Sequence, residues 1–172
     1  MVTPTVPKRK TMFDEARQSV AVQTLPAAHH LVLIDHGMGP ARARNQILNV
    51  CRTEWVAFLD DDDLLDPDHL EVLSGGTADV RIPYCRLEGD TIPKKFYNQP
   101  YDRAKLRDHG IFPITVLARY QAVMDAGGFR PEDRWEDWSL WNRMADNGAT
   151  FEVTPQVTWT YRLGHDNRTW AQ

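Results

Sequence analysis

Residues 55–73 read WVAFLDDDDLLDPDHLEVL, and this stretch decides the fold of the chain. Trp55–Leu59 is an unbroken apolar run, which is typical of a strand buried on both faces of a sheet. Four consecutive aspartates, Asp60 to Asp63, follow it directly. In open α/β sheets, ligands bind beyond the carboxyl ends of the strands. The stretch therefore predicts a central strand that carries carboxylates to a ligand site.

The aspartate run needs a counter-charge, because neighbouring carboxylates raise one another's pKa unless something neutralises them. A divalent cation that prefers oxygen ligands, Mn²⁺ or Mg²⁺, meets that need. An EF-hand calcium loop is excluded, since Leu64 and Leu65 stand where it requires an oxygen ligand and a glycine. A phosphatase of the haloacid-dehalogenase type stays an alternative. Asp66 and Asp68 are expected to serve the first turn of a helix that begins at Pro67.

On either side of this stretch the chain alternates strands and helices, which predicts an α/β domain with a mostly parallel central sheet. No linker or repeat divides the 172 residues, so a single domain is expected. The further predicted strands are Val2–Val6, Leu31–Asp35, Val80–Tyr84, Ile114–Ala118, Phe151–Val153 and Val157–Tyr161. The further predicted helices are Thr11–Thr24, Ala41–Arg52, Tyr120–Ala126 and Trp135–Asn147.

Composition and charge exclude several classes of protein. The net charge of −4 argues against a nucleic-acid-binding surface. Basic clusters at Lys8–Lys10, Arg42–Arg44 and Lys94–Lys95 indicate anion pockets or solvated surface. Cys51 and Cys85 are too few for a disulfide framework or a zinc site. There is neither a signal-peptide pattern nor an apolar run near the ~20 residues that span a membrane, so a cytoplasmic protein is expected.

Three blocks of the sequence, in order, resemble the family-2 glycosyltransferases, which are inverting enzymes of the GT-A fold. ARNQIL (residues 43–48), with the stretch at 55–73, is similar to the family's ARN helix and its nucleotide–metal block. AGGFRPEDRWEDWSLWNRMADNG (126–148) is similar to its acceptor-side block, and VTWTYRLGHDN (157–167) to its terminal segment. The resemblance implies a GT-A-like α/β/α sandwich, with a nucleotide-binding half at 1–75 and an acceptor-side half at 76–172.

The resemblance also implies which side chains hold the donor. Thr5 and Asp35 would line the nucleobase pocket, Asp60 would hold the ribose side, and Arg44 would contact the nucleotide. Asp62 would ligate the metal that bridges the diphosphate. The residues implied to contact the nucleotide sugar are Pro4, Thr5, Asp35, Arg44, Asp60 and Asp61.

Two further sites of chemistry are implied on the acceptor side. Asp137 would be the general base that takes the proton from the acceptor hydroxyl, with Glu136 as its helper or stand-in. Such a base contributes ~10²–10⁴-fold to rate, whereas helix-end charge stabilisation, the alternative, contributes ~0.3–1 kcal/mol. His165 would be a further metal ligand, although Gly164 before it leaves a surface position equally open. Trp138 is expected in the core, with stacking on a sugar as the alternative.

These observations predict an inverting transfer of a sugar from a nucleoside diphosphate donor, expected to be a UDP-sugar, to an acceptor hydroxyl with Mn²⁺ or Mg²⁺. The alternatives are a metal-dependent phosphatase, a nucleotidyltransferase and a non-catalytic nucleotide-sugar-binding module. Only eight residues separate Asp35 from Arg44, where the family fits another helix and strand. This short chain suggests an acceptor groove completed by the acceptor itself or by a second subunit in a homo-oligomer.

Overall fold

The computed structural model of the protein describes residues 1–89 and 98–164. Strands and helices alternate through most of this part of the chain, with a short 3₁₀ turn at Pro7–Arg9. The strands are β1 (Val2–Thr5), β2 (Leu31–Ile34), β3 (Trp55–Ala57), β4 (Leu64–Leu65), β5 (Val80–Gly89), β6 (Leu117–Arg119) and β7 (Phe151–Leu163). The helices are α1 (Lys10–Ala21), α2 (Pro40–Val50), α3 (His69–Ser74), α4 (Arg103–Asp108), α5 (Tyr120–Asp125) and α6 (Glu136–Asp146).

The strands form a parallel pair, β1–β2, and a five-stranded sheet in the order β3-β6-β5-β7-β4. Phe58, directly after β3, bridges Val2 of β1 in parallel and so joins the two sheets. Strand β5 runs parallel to β7, but β6 is antiparallel to both β3 and β5, and β4 is antiparallel to β7. The α/β class is as predicted, and so is the mostly parallel arrangement. Among the described strands, β1, β2, β3, β5 and β7 run in one direction, and β6 and β4 run against them. Alternation of strands and helices predicts the shared direction of these strands, but it does not predict which strands are reversed.

Several element bounds also differ from the prediction. The two strands expected at Phe151–Val153 and Val157–Tyr161 are one strand, β7, whose pairing with β5 shifts register around Tyr84. The helix expected at Pro67 begins at His69. Strand β4 and helix α4 were not predicted. Both are short, and short elements carry little periodic signal in a sequence.

Helices cover both faces of the sheet, as expected for an α/β/α sandwich. One face packs against α2, α4, α5 and α6 around Phe58, Phe129 and Trp141, with the Phe58 and Phe129 rings edge-to-face at 5.4 Å. The other face packs against α1 through Ala16 and Val20, and against α3 through residues such as Leu73. Successive residues of β3 point to opposite faces, with Val56 in the first core and Ala57 in the other.

Strands from both halves of the sequence share the larger sheet, because β3 pairs with β6 and β4 with β7. Both strands of the stretch at residues 55–73 are therefore held in the sheet by strands that come later in the sequence. In the described residues, we find no helix whose length and hydrophobicity would suit a membrane crossing.

Candidate functional site

The acidic residues lie where the sequence predicts, beyond the carboxyl ends of β1, β2 and β3. Asp60, Asp62 and Asp63 each offer one carboxylate oxygen, and these oxygens lie within 4.8 Å of one another. Opposite ligands of one octahedral ion are ~4.2 Å apart when each metal–oxygen bond is ~2.1 Å. Small side-chain movements would therefore let one cation contact all three carboxylates.

The chemistry of this donor set fits a divalent cation. Burial raises the pKa of Asp62 to about 6, and the charge of Asp60 adds to the effect. Burial also raises the pKa of Asp63 well above its ordinary value, helped by Asp62 and Asp60. The ionised forms of these two side chains are thus disfavoured as the site stands, and a bound cation would favour them. Hard oxygen ligands of this kind suit Mg²⁺ and Mn²⁺.

Asp61 lies outside the group of three carboxylates, and its side chain contacts Thr5 and Arg9. One of its carboxylate oxygens accepts a hydrogen bond from the Thr5 hydroxyl at 2.7 Å, and the other accepts one from Arg9 at 2.9 Å. Asp61 and Thr5 are both buried. Thr5 and Asp61, which are both implied to contact the nucleotide sugar, thus contact each other. Their hydrogen bond holds the aspartate loop against the end of β1.

Asp35 follows β2 at the same edge and shapes the loop before α2. Its two carboxylate oxygens accept hydrogen bonds from the backbone N–H groups of Gly37, Met38 and Gly39 at 2.7–2.9 Å. Pro4 is buried in β1, opposite Leu33 of β2. Both residues lie at the edge where the nucleobase is expected from the sequence, and Asp35 also holds the loop that leads into α2.

Arg44 connects the aspartate cluster to the acceptor side. It lies on α2 with only 5% of its side chain exposed, and it pairs with Asp60 at 2.5 Å and with Glu136 at 3.0 Å. Its guanidinium also lies 5.3 Å from the centre of the Phe129 ring. Burial disfavours the charged form of Arg44, but the carboxylates of Asp60 and Glu136 outweigh burial and raise its pKa. Removing either partner would leave a buried charge poorly compensated.

The next residue, Asn45, fixes the turn that leads toward α6. Its side-chain amide donates to the Phe129 carbonyl at 2.7 Å and accepts from the Phe129 N–H at 2.9 Å. Gly128 has φ +63°, and a Cβ there would lie 2.8 Å from Asn45 Oδ1. Glycine is therefore required at this position by both backbone conformation and space. The ARN residues of α2 thus hold the acceptor-side block against the aspartate loop.

Asp137 lies in the first turn of α6, beside Glu136, and is half-buried. Its carboxylate accepts the N–H of Trp138 at 2.7 Å. Burial raises the pKa of Asp137 to about 6, and the charge of Glu136 adds to the effect. A carboxylate of that pKa is ionised at neutral pH and basic enough to take a proton from a reacting hydroxyl.

The structure brings together most of the predicted residues and adds three that the sequence analysis did not assign. Arg9 contacts Asp61 and Asp62, Asp63 joins the group of carboxylates, and the Arg162 backbone N–H donates to Asp63 at 2.9 Å. The basic cluster at Lys8–Lys10 was the signal that pointed toward Arg9. His165 lies outside the described residues.

The tryptophans of α6 act mainly in packing. Trp141 is fully buried in the core. Trp138 is half-buried, and its indole N–H donates to the Leu106 carbonyl of α4. Its ring also lies 3.8 Å from where a Cβ on Gly110 would stand. These contacts favour the predicted core position of Trp138 over a sugar-stacking one.

The fold is similar to that of proteins whose structures have been solved with nucleotide sugars bound. It matches the crystal structure of S. aureus TarS 1-349 in complex with UDP-GlcNAc with a TM-score of 0.77 and 15% identity, covering 99% of this chain and 60% of that one. It matches the mannosyltransferase PcManGT from Pyrobaculum calidifontis, in complex with GDP-Man and Mn²⁺, with a TM-score of 0.66 and 12% identity, covering 97% and 57%. At such low identity these matches show the GT-A fold alone.

The sequence comparisons identify the family. The chain is 30% identical over 152 residues to the pre-mycofactocin glycosyltransferase of Mycobacterium tuberculosis, covering 78% of this chain and 31% of that protein. It thus spans about a third of the length of these curated relatives. The family model described as glycosyl transferase family 2 matches residues 21–107, half of the chain and the whole aspartate stretch. The protein therefore belongs to glycosyl transferase family 2.

Proposed function

We propose that the protein transfers a sugar from a nucleoside diphosphate donor to an acceptor hydroxyl with inversion, assisted by Mn²⁺ or Mg²⁺. The single observation that carries this proposal is the group of Asp60, Asp62 and Asp63 oxygens within 4.8 Å of one another. Its position beyond the ends of three parallel strands is where α/β folds bind nucleotides. The ligands of TarS and PcManGT, UDP-GlcNAc and GDP-Man, are donors of this chemical class.

The donor would lie along this edge, with its diphosphate at the carboxylates. A divalent cation held there would offset the negative charge that develops on the departing diphosphate. Asp60 also pairs with Arg44 at 2.5 Å, which fixes the position of its carboxylate. We expect the nucleobase to lie toward β1 and β2, next to Thr5, Asp35 and Pro4.

Asp137 would supply the base for the transfer. The acceptor oxygen forms a bond to the anomeric carbon as the bond from that carbon to the diphosphate oxygen breaks, and the carboxylate of Asp137 takes the hydroxyl proton. Attack from the face opposite the leaving group inverts the configuration at that carbon. Glu136 pairs with Arg44, so its part in this scheme is to place Asp137 and keep it basic.

The proposal is tested by product analysis. The protein is incubated with UDP-GlcNAc or GDP-Man and Mn²⁺, and the released phosphate-containing products are separated by chromatography. We expect nucleoside diphosphate, lost when EDTA removes the metal. Release of nucleoside monophosphate, inorganic phosphate or pyrophosphate instead would identify a phosphatase or nucleotidyltransferase. Binding without turnover, with a range of sugar acceptors present, would identify a non-catalytic binding module.

A matched pair of variants ties that activity to the cluster. Asp62→Asn removes one charged oxygen ligand, so we expect it to abolish metal-dependent donor binding. Asp66→Asn is the control, because Asp66 faces Arg86 outside the group of carboxylates. Equal donor binding by Asp62→Asn and the wild type would contradict the proposed metal site.

A further inference from the structure

Arg9 lies at the edge of the aspartate cluster, on the 3₁₀ turn between β1 and α1. A single guanidinium nitrogen, Nη1, is 2.9 Å from Asp61 Oδ1 and 3.0 Å from Asp62 Oδ2. The side chain is 23% exposed, so it is partly buried but still borders solvent. Arg9 therefore shares Asp62 with any cation that the cluster holds.

The position of Arg9 is fixed by buried groups. Asp61, its first partner, is only 4% exposed and is itself held by the Thr5 hydroxyl at 2.7 Å. Thr5 is the last residue of β1, whose backbone pairs with β2 along its whole length. The guanidinium is thus anchored to the sheet through Asp61, and Asp62 is the second carboxylate within its reach.

The charge of Arg9 acts in opposite directions on the two ligands of this site. A bare divalent cation at Asp62 would lie a few ångströms from a positive guanidinium, which repels it. A diphosphate in the same place is an anion, and a guanidinium forms strong charge-assisted hydrogen bonds to phosphate oxygens. The same side chain therefore weakens binding of the metal alone and strengthens binding of the metal with its nucleotide.

We propose that Arg9 is a diphosphate-binding residue that also keeps the aspartate cluster from holding a cation tightly until the nucleotide arrives. This inference rests on the proposed function, since it assumes a nucleoside diphosphate at the cluster. It assigns a role to a side chain outside the aspartate run. It also makes metal and nucleotide binding cooperative. The diphosphate offsets the Arg9 charge that repels the cation, and the cation offsets the aspartate charges that repel the diphosphate.

The test uses Arg9→Gln, which removes the charge and keeps a polar side chain of similar length. Free Mn²⁺ is measured by electron paramagnetic resonance during titration of the protein without nucleotide. Binding of UDP and of GDP is measured by calorimetry at saturating Mn²⁺. Arg17→Gln is the matched control: it makes the same change in net charge at an exposed position of α1, 64% exposed and 3.9 Å from Asp14.

We expect Arg9→Gln to bind Mn²⁺ alone about tenfold more tightly and the nucleoside diphosphate about tenfold more weakly, the scale of one charge-assisted hydrogen bond. Arg17→Gln should leave both affinities unchanged. Arg9→Lys keeps the charge, so its Mn²⁺ affinity should stay near that of the wild type, and it replaces Arg9→Gln as the test if that variant unfolds. Its single ammonium should bind the diphosphate more weakly than the guanidinium does.

The inference is overturned if Arg9→Gln changes neither affinity, or if it moves both in the same direction. If Arg9→Lys is used as the test variant, the inference is overturned when that variant binds the diphosphate as tightly as the wild type does. The proposed function fails separately, if the wild type binds neither UDP nor GDP in the presence of Mn²⁺. In that case the Mn²⁺ titration still decides whether Arg9 opposes the cation.

Discussion

At the scale of single residues, the environment of Asp137 makes a prediction about pH. Burial raises the pKa of this carboxyl to about 6, and a general base works only in its ionised form. We therefore expect the rate at saturating donor to rise as pH increases through about 6 and to level off above it. The measurement is nucleoside diphosphate release between pH 5 and 8.

Substitution of Asp137 gives the same prediction a second test. Asp137→Asn should keep donor binding and lower the rate by ~10²–10⁴-fold, because only proton transfer is lost. Asp108→Asn, at an exposed position on α4, is the control and should act like the wild type. A near-normal rate in Asp137→Asn would move the role of base to Glu136 or refute the mechanism.

The residues of this site differ in how far a sequence can predict them. Asp60, Asp62 and Asp137 belong to local patterns that a reader of the chain can see. Arg9 and Asp61 meet across a sequence separation of 52 residues, and such a contact depends on how β1 and β3 come together. The hydrogen bond between Thr5 and Asp61 likewise joins residues 56 positions apart, and motif matching alone does not reveal it.

At the scale of elements, the Gly127–Gly128 turn after α5 makes a prediction about stability. Both glycines have positive φ, +80° and +63°, but only at Gly128 would a Cβ approach Asn45, to 2.8 Å. Gly128→Ala should therefore lower the free energy of unfolding by ~2–4 kcal/mol, because it adds backbone strain and weakens the hydrogen bonds between Asn45 and Phe129. Gly127→Ala is the matched control and should lose only the strain, ~1–2 kcal/mol.

The measurement is the free energy of unfolding in urea. In an Asn45→Ala background, the difference between the two alanine variants should shrink, because the contact that separates them is gone. Equal destabilisation by Gly127→Ala and Gly128→Ala in the wild-type background would contradict the role given to Asn45.

The order and type of the long elements could be predicted because their patterns are local. Helices α2 and α6 carry apolar residues at helical spacing, and β3 is an apolar run. The reversed direction of β6 could not be predicted in the same way, because it depends on β6 inserting between β3 and β5, which lie apart in the sequence. The single strand β7 was divided in the prediction at Pro155–Gln156, where a register shift against β5 accommodates the proline.

At the scale of the whole molecule, a buried histidine makes a prediction about acid stability. His69 is fully buried, and its Nδ1 lies 2.9 Å from the Thr158 hydroxyl. Burial lowers its pKa to about 4 from an ordinary value of 6.5. Between about pH 6.5 and about pH 4, His69 is protonated in the unfolded state but stays neutral in the folded state. The free energy of unfolding should therefore fall by ~3 kcal/mol in total as the pH drops through this range.

Other groups also titrate in this pH range, so the contribution of His69 is measured as the difference in unfolding free energy between the wild type and a variant without the histidine. His69→Gln keeps a polar side chain toward Thr158 and has no charge to gain. The pH dependence of its unfolding free energy between 6.5 and 4 should be shallower than that of the wild type. His29→Gln, at an exposed position, should keep the wild-type slope, and an unchanged slope in His69→Gln would contradict the assignment.

Strands from the two halves of the chain share the larger sheet, and the proposed reaction requires this. The aspartate loop after β3 and Asp137, the proposed base on α6, come from different halves, and Arg44 joins the two regions through Asp60 and Glu136. The whole molecule thus links the acidic cluster to Glu136, the neighbour of Asp137, through one buried arginine.

The most direct test of the central claim is anomalous diffraction from crystals soaked in Mn²⁺ with UDP or GDP. We expect a manganese peak bound by Asp62, bordered by Asp60 and Asp63, with the diphosphate oxygens completing its coordination. A cluster without manganese, its carboxylates turned to water while the nucleotide binds elsewhere or not at all, would contradict the account.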